Sequence, residues 1–244
     1  TTAGSGARSS AKMPEDAEPP HVAAPAALIF DLDGTLAETS PTWHQAEKKL
    51  FSAMGHTWTQ EIQRHYMGMN ASDLATTVHR LLKPALPVEQ CRRVMREALV
   101  KAYQDATPEE MPGAVALVRR LEGRVPMAVA SGSPPEGIEV SLKHLGIRDC
   151  FDAVLSTETV PRGKPHPDGF IAAAQRLGAE PGRCLVFEDS EVGAQAAQAA
   201  GMQSIVRPRH AGQRAALARV ATRIVTSWDE VTAADVFGEE SGKA

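Results

Sequence analysis

Ala26-Ala27-Leu28-Ile29-Phe30 runs directly into Asp31-Leu32-Asp33-Gly34-Thr35, and this junction decides the fold. A continuous apolar run of that length, without polar alternation, suits a strand buried on both faces of a parallel sheet. The polar cluster behind it then marks the strand's C-terminal end. The pattern recurs: Val125 to Ala130 ends at Ser131-Gly132-Ser133, and Cys184 to Phe187 ends at Glu188-Asp189-Ser190. Shorter apolar runs lie at Asp152–Leu155, Gln203–Val206 and Arg223–Val225.

Helical patterns alternate with these strands. Gly113–Leu121, Glu136–Leu145, Asp168–Leu177 and Val192–Ala200 each carry apolar residues at helical spacing, and the last three stop at a glycine. Glycine just past a helix end accepts the left-handed conformation that closes it. Strands alternating with helices of this length predict an α/β fold, a doubly wound Rossmann-like parallel sheet. One segment breaks the alternation. Residues 39–111 read as helices without a strand: Ser40-Pro41 is a start signal with serine as N-cap, Trp43, Ala46, Leu50 and Met54 follow at helical spacing, and Val88, Cys91, Met95, Ala98, Leu99 and Ala102 mark a longer helix. The expected organisation is a core of residues 26–38 and 112–244 with a small inserted α-helical cap of residues 39–111. Residues 1–25 are small, polar and proline-rich, and read as a disordered tail.

Composition narrows the function classes. With 244 residues, 43% of them hydrophobic, and a mean hydropathy of -0.24, the chain fits an ordinary soluble globular protein. A formal net charge of -4 is not the basic footprint of a nucleic-acid binder, so no nucleic-acid partner is expected. No apolar run is long enough to span a membrane. Cys91, Cys150 and Cys184 lie far apart and fit neither a disulfide framework nor a metal spacing, which points to reduced thiols and a cytoplasmic setting. An organellar destination stays open, because the tail holds Arg8, Ser9, Ser10 and Lys12 beside Glu15, Asp16 and Glu18. No helix presents a coiled-coil seam, and a monomer is the default expectation.

The polar clusters fall at strand C-terminal ends, the edge where open α/β sheets bind ligands. Asp31, Asp33, Ser131, Gly132, Lys164, Glu188 and Asp189 can therefore converge from across the chain. Four carboxylates with little histidine nearby make a hard, oxygen-rich site suited to magnesium. Such an ion would offset the charge between a carboxylate and a phosphate, while Lys164, the Ser131 hydroxyl and the Gly132 amide add donors. Two carboxylates two residues apart at a strand end can share one small volume. One can then attack phosphorus while the other moves a proton.

These residues carry a resemblance. Phe30–Thr35 (FDLDGT), Ala130–Pro134 (ASGSP), Gly163–Phe170 (GKPHPDGF) and Val186–Gly193 (VFEDSEVG) are similar, in order and spacing, to the four motifs of the haloacid dehalogenase superfamily. The resemblance covers about residues 26–210, and the helical insert after the first motif resembles the subfamily with a helical cap. The wording around Asp189 and the Ser40–Trp43 segment resembles sugar-phosphate phosphatases and β-phosphoglucomutases. The resemblance implies a magnesium-dependent phosphatase acting on small phosphorylated metabolites, sugar phosphates foremost, through an aspartyl-phosphate on Asp31. It implies Asp33 as proton donor and acceptor, and Ser131, Gly132 and Lys164 as phosphate ligands. It implies metal ligation by Asp31, the Asp33 backbone carbonyl, Glu188 and Asp189. Superfamily members that cleave carbon–halogen bonds lack the second carboxylate, so Asp33 argues against dehalogenation.

Substrate choice is expected in the cap, with Thr39, Trp43, His44 and Asn70 as candidates. The alternative activity is that of a β-phosphoglucomutase-like phosphosugar mutase. The mutase carries an arginine in its cap loop and a histidine in its first cap helix; the matching positions here are Ala71 and Trp43. Both departures favour transfer to water.

Overall fold

The computed structural model describes residues 24–106 and 108–238; the tail expected over residues 1–25 lies, except for its last two residues, outside them. In chain order the strands are β1 (Ala27–Phe30), β2 (Ala37–Glu38), β3 (Glu109–Glu110), β4 (Met127–Ser131), β5 (Ala153–Ser156), β6 (Cys184–Glu188), β7 (Gln203–Val206) and β8 (Arg223–Ile224). The helices are α1 (Ser40–Ala53), α2 (Gln60–Gln63), α3 (Ala71–Leu82), α4 (Val88–Asp105), α5 (Ala114–Leu121), α6 (Pro135–His144), α7 (Asp168–Arg176), α8 (Glu191–Ala199), α9 (Arg214–Leu217) and α10 (Ala233–Phe237).

Six strands form one sheet in the order β5-β4-β1-β6-β7-β8, with every pairing parallel. β1 lies centrally between β4 and β6, so all four residues of its run are buried. Successive side chains alternate faces. Leu28 and Phe30 join Val129, Phe187, Leu117, Ile138 and Trp228 on one side. Ala27 and Ile29 join Val186, Phe170, Ala174 and Ala197 on the other. The doubly wound sheet expected from the alternating pattern is the fold observed. β4 begins at Met127 rather than Val125, because Pro126 has no N–H to give to the ladder.

The helical insert, α1 to α4, leaves the core between β2 and β3. It has its own core of Leu50, Phe51, Leu74, Val78, Met95 and Leu99. The reading of residues 39–111 as strand-free differs at its end: Glu109–Glu110 forms β3, antiparallel to β2, and this two-stranded ribbon carries both connections to the insert. Two-residue strands are too short to show a period. The α1 start also shifts by one residue. The N-cap is Thr39, not Ser40, and its side chain makes no capping bond because the hydroxyl donates to Asp33 at 2.7 Å.

Candidate active site

β1 ends at Phe30, and the chain turns at once. Gly34 has φ +87°, a conformation that favours glycine, and its amide returns to the Ala37 carbonyl at 2.8 Å. This turn leaves Asp31 and Asp33 lining one cleft of ≈ 230 Å³ together with Gly132, Lys164, Glu188, Asp189 and Arg209 from the core. From the insert the cleft receives Trp43, Glu47, Gln63, Tyr66, Met67, Met69 and Leu74.

Lys164 Nζ donates to Asp31 Oδ1 at 2.6 Å and to Glu188 Oε1 at 2.5 Å, and all three side chains are buried. The two carboxylates that share this ammonium are not equivalent. Glu188 Oε2 also accepts from the Asp189 amide, the Ser190 amide and the Ser190 hydroxyl, each at 2.9 Å. Burial works to raise Glu188, but Lys164 and the Ser190 donors outweigh it and hold the carboxyl below its ordinary range. Burial raises Asp31 well above its ordinary range; Lys164 opposes this, while Glu188, Asp33 and Asp189 add to it. Lys164 is raised because Asp31 and Glu188 outweigh its own burial.

Asp189 follows β6, and its Oδ2 accepts from Arg209 Nε. Burial pushes Asp189 up to about 7, with Arg209 pulling the other way. Arg209 also donates to the Asp33 backbone carbonyl and the Ser40 hydroxyl, joining the core turn to the start of α1.

Asp33 is gripped from both sides. Ser131 Oγ donates to its Oδ2 at 2.5 Å, and Ser133 Oγ lies 2.9 and 3.0 Å from its two oxygens. From the insert, Trp43 Nε1 donates to Oδ1 at 2.9 Å and the Tyr103 hydroxyl does so at 3.0 Å. Thus Thr39 and Trp43, chosen as cap candidates, both contact Asp33. His44 lies elsewhere: its ring packs edge-on against Trp58 at 4.2 Å and does not line the cleft. Asn70 is buried but engaged as the N-cap of α3. Its Oδ1 accepts from the Asp73 amide at 2.8 Å, and Asp73 in turn accepts from the Gly163 amide next to Lys164 at 3.2 Å.

Asp31, Glu188 and Asp189 offer carboxylate oxygens within 4.8 Å of one another. The donor set suits a hard divalent cation: three buried carboxylates, two of them raised by burial, are short of positive charge despite Lys164 and Arg209. The Asp33 carboxylate stands outside this group and faces the serine and cap donors.

Four contributors escaped the sequence reading: Ser133, Tyr103, Glu47 and Arg209. Ser133 lies inside the 130–134 motif, and Arg209 follows β7 at the same ligand-bearing edge, so position alone could have found both. Tyr103 and Glu47 sit on cap helices, where only docking against the core selects them.

A parallel sheet with an acidic, lysine-bearing cleft under a helical insert defines a class, and comparison with known proteins places the chain in it. The model of the haloacid dehalogenase-like hydrolase family matches residues 25–201. The chain belongs to this family and is an enzyme of its phosphatase type. It is 38% identical over 183 residues to the fructose-1-phosphate phosphatase YqaB of Escherichia coli K12, covering 74% of this chain and 95% of that protein. Hexitol phosphatase B of the same organism is 32% identical over 219 residues, covering 87% and 96%. Among solved structures, CbbY from Rhodobacter sphaeroides in complex with phosphate superposes with a TM-score of 0.72 at 28% identity, covering 87% of this chain and 99% of that one.

Proposed function

We propose that the chain hydrolyses phosphate monoesters of sugars or sugar alcohols, with Asp31 as nucleophile. The observation that carries this reading is the buried Asp31 carboxylate, facing the cleft beside Lys164 at 2.6 Å and within the three-carboxylate cluster. A carboxylate so placed can attack phosphorus and form an aspartyl-phosphate, which water then cleaves. Asp33 hands a proton to the departing oxygen and later takes one from the attacking water. Lys164 and the Gly132 amide neutralise and orient the transferring group. In the observed arrangement the Ser131 hydroxyl holds Asp33, so it acts on the phosphoryl group only after turning.

Asp31, Asp189 and the Asp33 carbonyl would hold magnesium, with Glu188 beside them. When bound, the ion offsets charge between the attacking carboxylate and the phosphate. The named relatives support sugar and hexitol phosphates as the substrate class. Transfer to water rather than to a second phosphosugar is supported by the cap wall, whose cleft-lining residues include no lysine or arginine to grip a distal phosphate; Ala71 is buried as the first residue of α3.

The test is release of inorganic phosphate from a panel of hexose, pentose and hexitol phosphates, with and without magnesium. Magnesium-dependent release from a subset is the expected result. Conversion of a sugar phosphate to its isomer, without free phosphate and only with added bisphosphate, overturns hydrolysis in favour of the mutase.

A further inference from the structure

The two walls of the cleft differ in charge. The core wall carries the cations Lys164 and Arg209, while the cap wall, beyond Thr39 and Ser40 at the start of α1 and the Trp43 indole N–H bonded to Asp33, is apolar except for Glu47, Gln63 and the Tyr66 hydroxyl. Glu47 lines the cleft yet is only 3% exposed. Trp58 Nε1 and Gln63 Nε2 both donate to its Oε2, at 2.8 and 3.4 Å. Among the described residues its one ion-pair partner is His44, 3.8 Å away. Burial lowers that imidazole, with Lys48 adding to the effect. A buried carboxylate without a cation is costly, and packing alone would be served better by glutamine or leucine. Its placement opposite the phosphate-binding wall calls for another account.

Resting on the phosphatase reading above, we infer that Glu47, with Gln63 beside it, reads the non-reacting end of the substrate and selects an uncharged, hydroxyl-bearing body over an anionic one. A carboxylate accepts hydrogen bonds from hydroxyl groups and repels a second carboxylate or phosphate. Gln63 supplies an amide that can donate as well as accept. The far end of the substrate is thus chosen by attraction of hydroxyls and by exclusion of like charge.

The test uses two probes that differ only at the far end: glucitol 6-phosphate, which ends in an alcohol, and 6-phosphogluconate, which ends in a carboxylate. At pH 8 the wild-type protein should favour the alcohol by at least about tenfold in kcat/KM, and Glu47→Gln should shrink that ratio by roughly fivefold or more. Equal ratios in the two proteins overturn the inference. A pH series adds a second test: a flat wild-type ratio counts against the role however the variant folds, and widening is assigned to Glu47 only where Glu47→Gln lacks it, since Asp189 at the reacting end also rises to about 7. Burial pushes Glu47 up to about 7 against the donors Trp58, Tyr66 and Gln63, so the preference should widen between pH 6 and pH 8. Of the titratable groups facing it, His44 is lowered and Tyr66 is raised, so neither gains charge in the upper half of that range. A ratio flat across the range overturns the inference.

If no ester is turned over, the same pair is compared by calorimetric binding. Discrimination that disappears in Glu47→Gln then upholds the role of Glu47 while hydrolysis fails. Absence of discrimination in wild-type binding overturns the role of Glu47, whatever the chemistry proves to be.

Discussion

The two walls of the cleft are built by different rules. The core wall is made of chain turns at strand ends: Asp31 and Asp33 after β1, Gly132 after β4, Asp189 after β6 and Arg209 after β7. A parallel sheet brings these points to one edge whatever the intervening sequence. The cap wall is made of helix faces and the loop between them, and each residue reaches the cleft only because the insert docks at one angle. The core wall therefore concentrates charge, with buried carboxylates around Lys164 and the half-buried Arg209, whereas Glu47 is the one charged residue of the cap wall. One wall is suited to bond making and the other to recognition.

If that division is right, the largest effect belongs to the core wall. Asp31→Asn removes the attacking charge but keeps the shape, and should lower kcat by at least about 10⁴-fold, as loss of a covalent nucleophile typically does. Steady-state phosphate release at saturating magnesium checks this. Circular dichroism should stay unchanged, since the amide can still accept from Lys164. Substantial turnover in a clean preparation would move the nucleophile elsewhere and break the comparison at its base.

The same division explains what was legible in the amino-acid order. Buried strands show as apolar runs and their C-terminal ends as polar clusters, so Asp31, Asp33, Lys164, Glu188 and Asp189 stand out in the order of residues alone. The long cap helix was also readable: Cys91, Met95, Ala98, Leu99 and Ala102 recur at helical spacing, and all five are buried. What did not show was which residues of that helix meet the core. Tyr103 follows Ala102 directly, and only docking brings its hydroxyl to Asp33 and to within 2.8 Å of Ser133 Oγ. The short elements α2, α9 and α10 have four or five residues, too few for a period to emerge. The cap candidates fared unevenly for the same reason. Trp43 faces the cleft, while His44, the next residue, points about a hundred degrees away around α1 and packs on Trp58.

A second experiment sharpens the comparison by asking what the lone cap carboxylate does to stability. In the folded protein Glu47 rises from 4.5 to about 7, mainly through burial. An acid whose folded pKa is raised binds its proton more tightly when folded. Its contribution to stability is thus fully present below pH 4.5 and lost as pH climbs to about 7. The rise corresponds to on the order of 3 kcal/mol. Glu47→Gln removes this dependence, so relative to wild type it should gain several degrees in Tm at pH 8 and little at pH 4.5. A difference in Tm between the two proteins that is constant with pH would mean that Glu47 is not held away from its ordinary range, and the cap wall would lose its one distinctive group.

The smallest effect is expected where the walls are tied together at the surface. Arg96 on α4 reaches Glu136 on α6 at 2.9 Å and Glu158 at 3.4 Å, linking insert to core outside the cleft. The side chains of Arg96 and Glu136 are about half exposed, so solvent and salt screen the pair and it falls among contacts worth about 0.2–1 kcal/mol. If recognition by the cap wall requires the insert to sit as observed, Arg96→Ala should raise KM by no more than about fivefold and leave kcat nearly unchanged. The signature is in the salt dependence. Raising ionic strength should move the wild-type KM toward that of the variant, while the variant, lacking the pair, responds less. A variant whose KM matches wild type at every salt concentration would show that the buried bonds from Thr39, Trp43 and Tyr103 to Asp33 suffice to seat the insert. Catalysis and closure would then meet at one carboxylate, and the surface pair would add nothing.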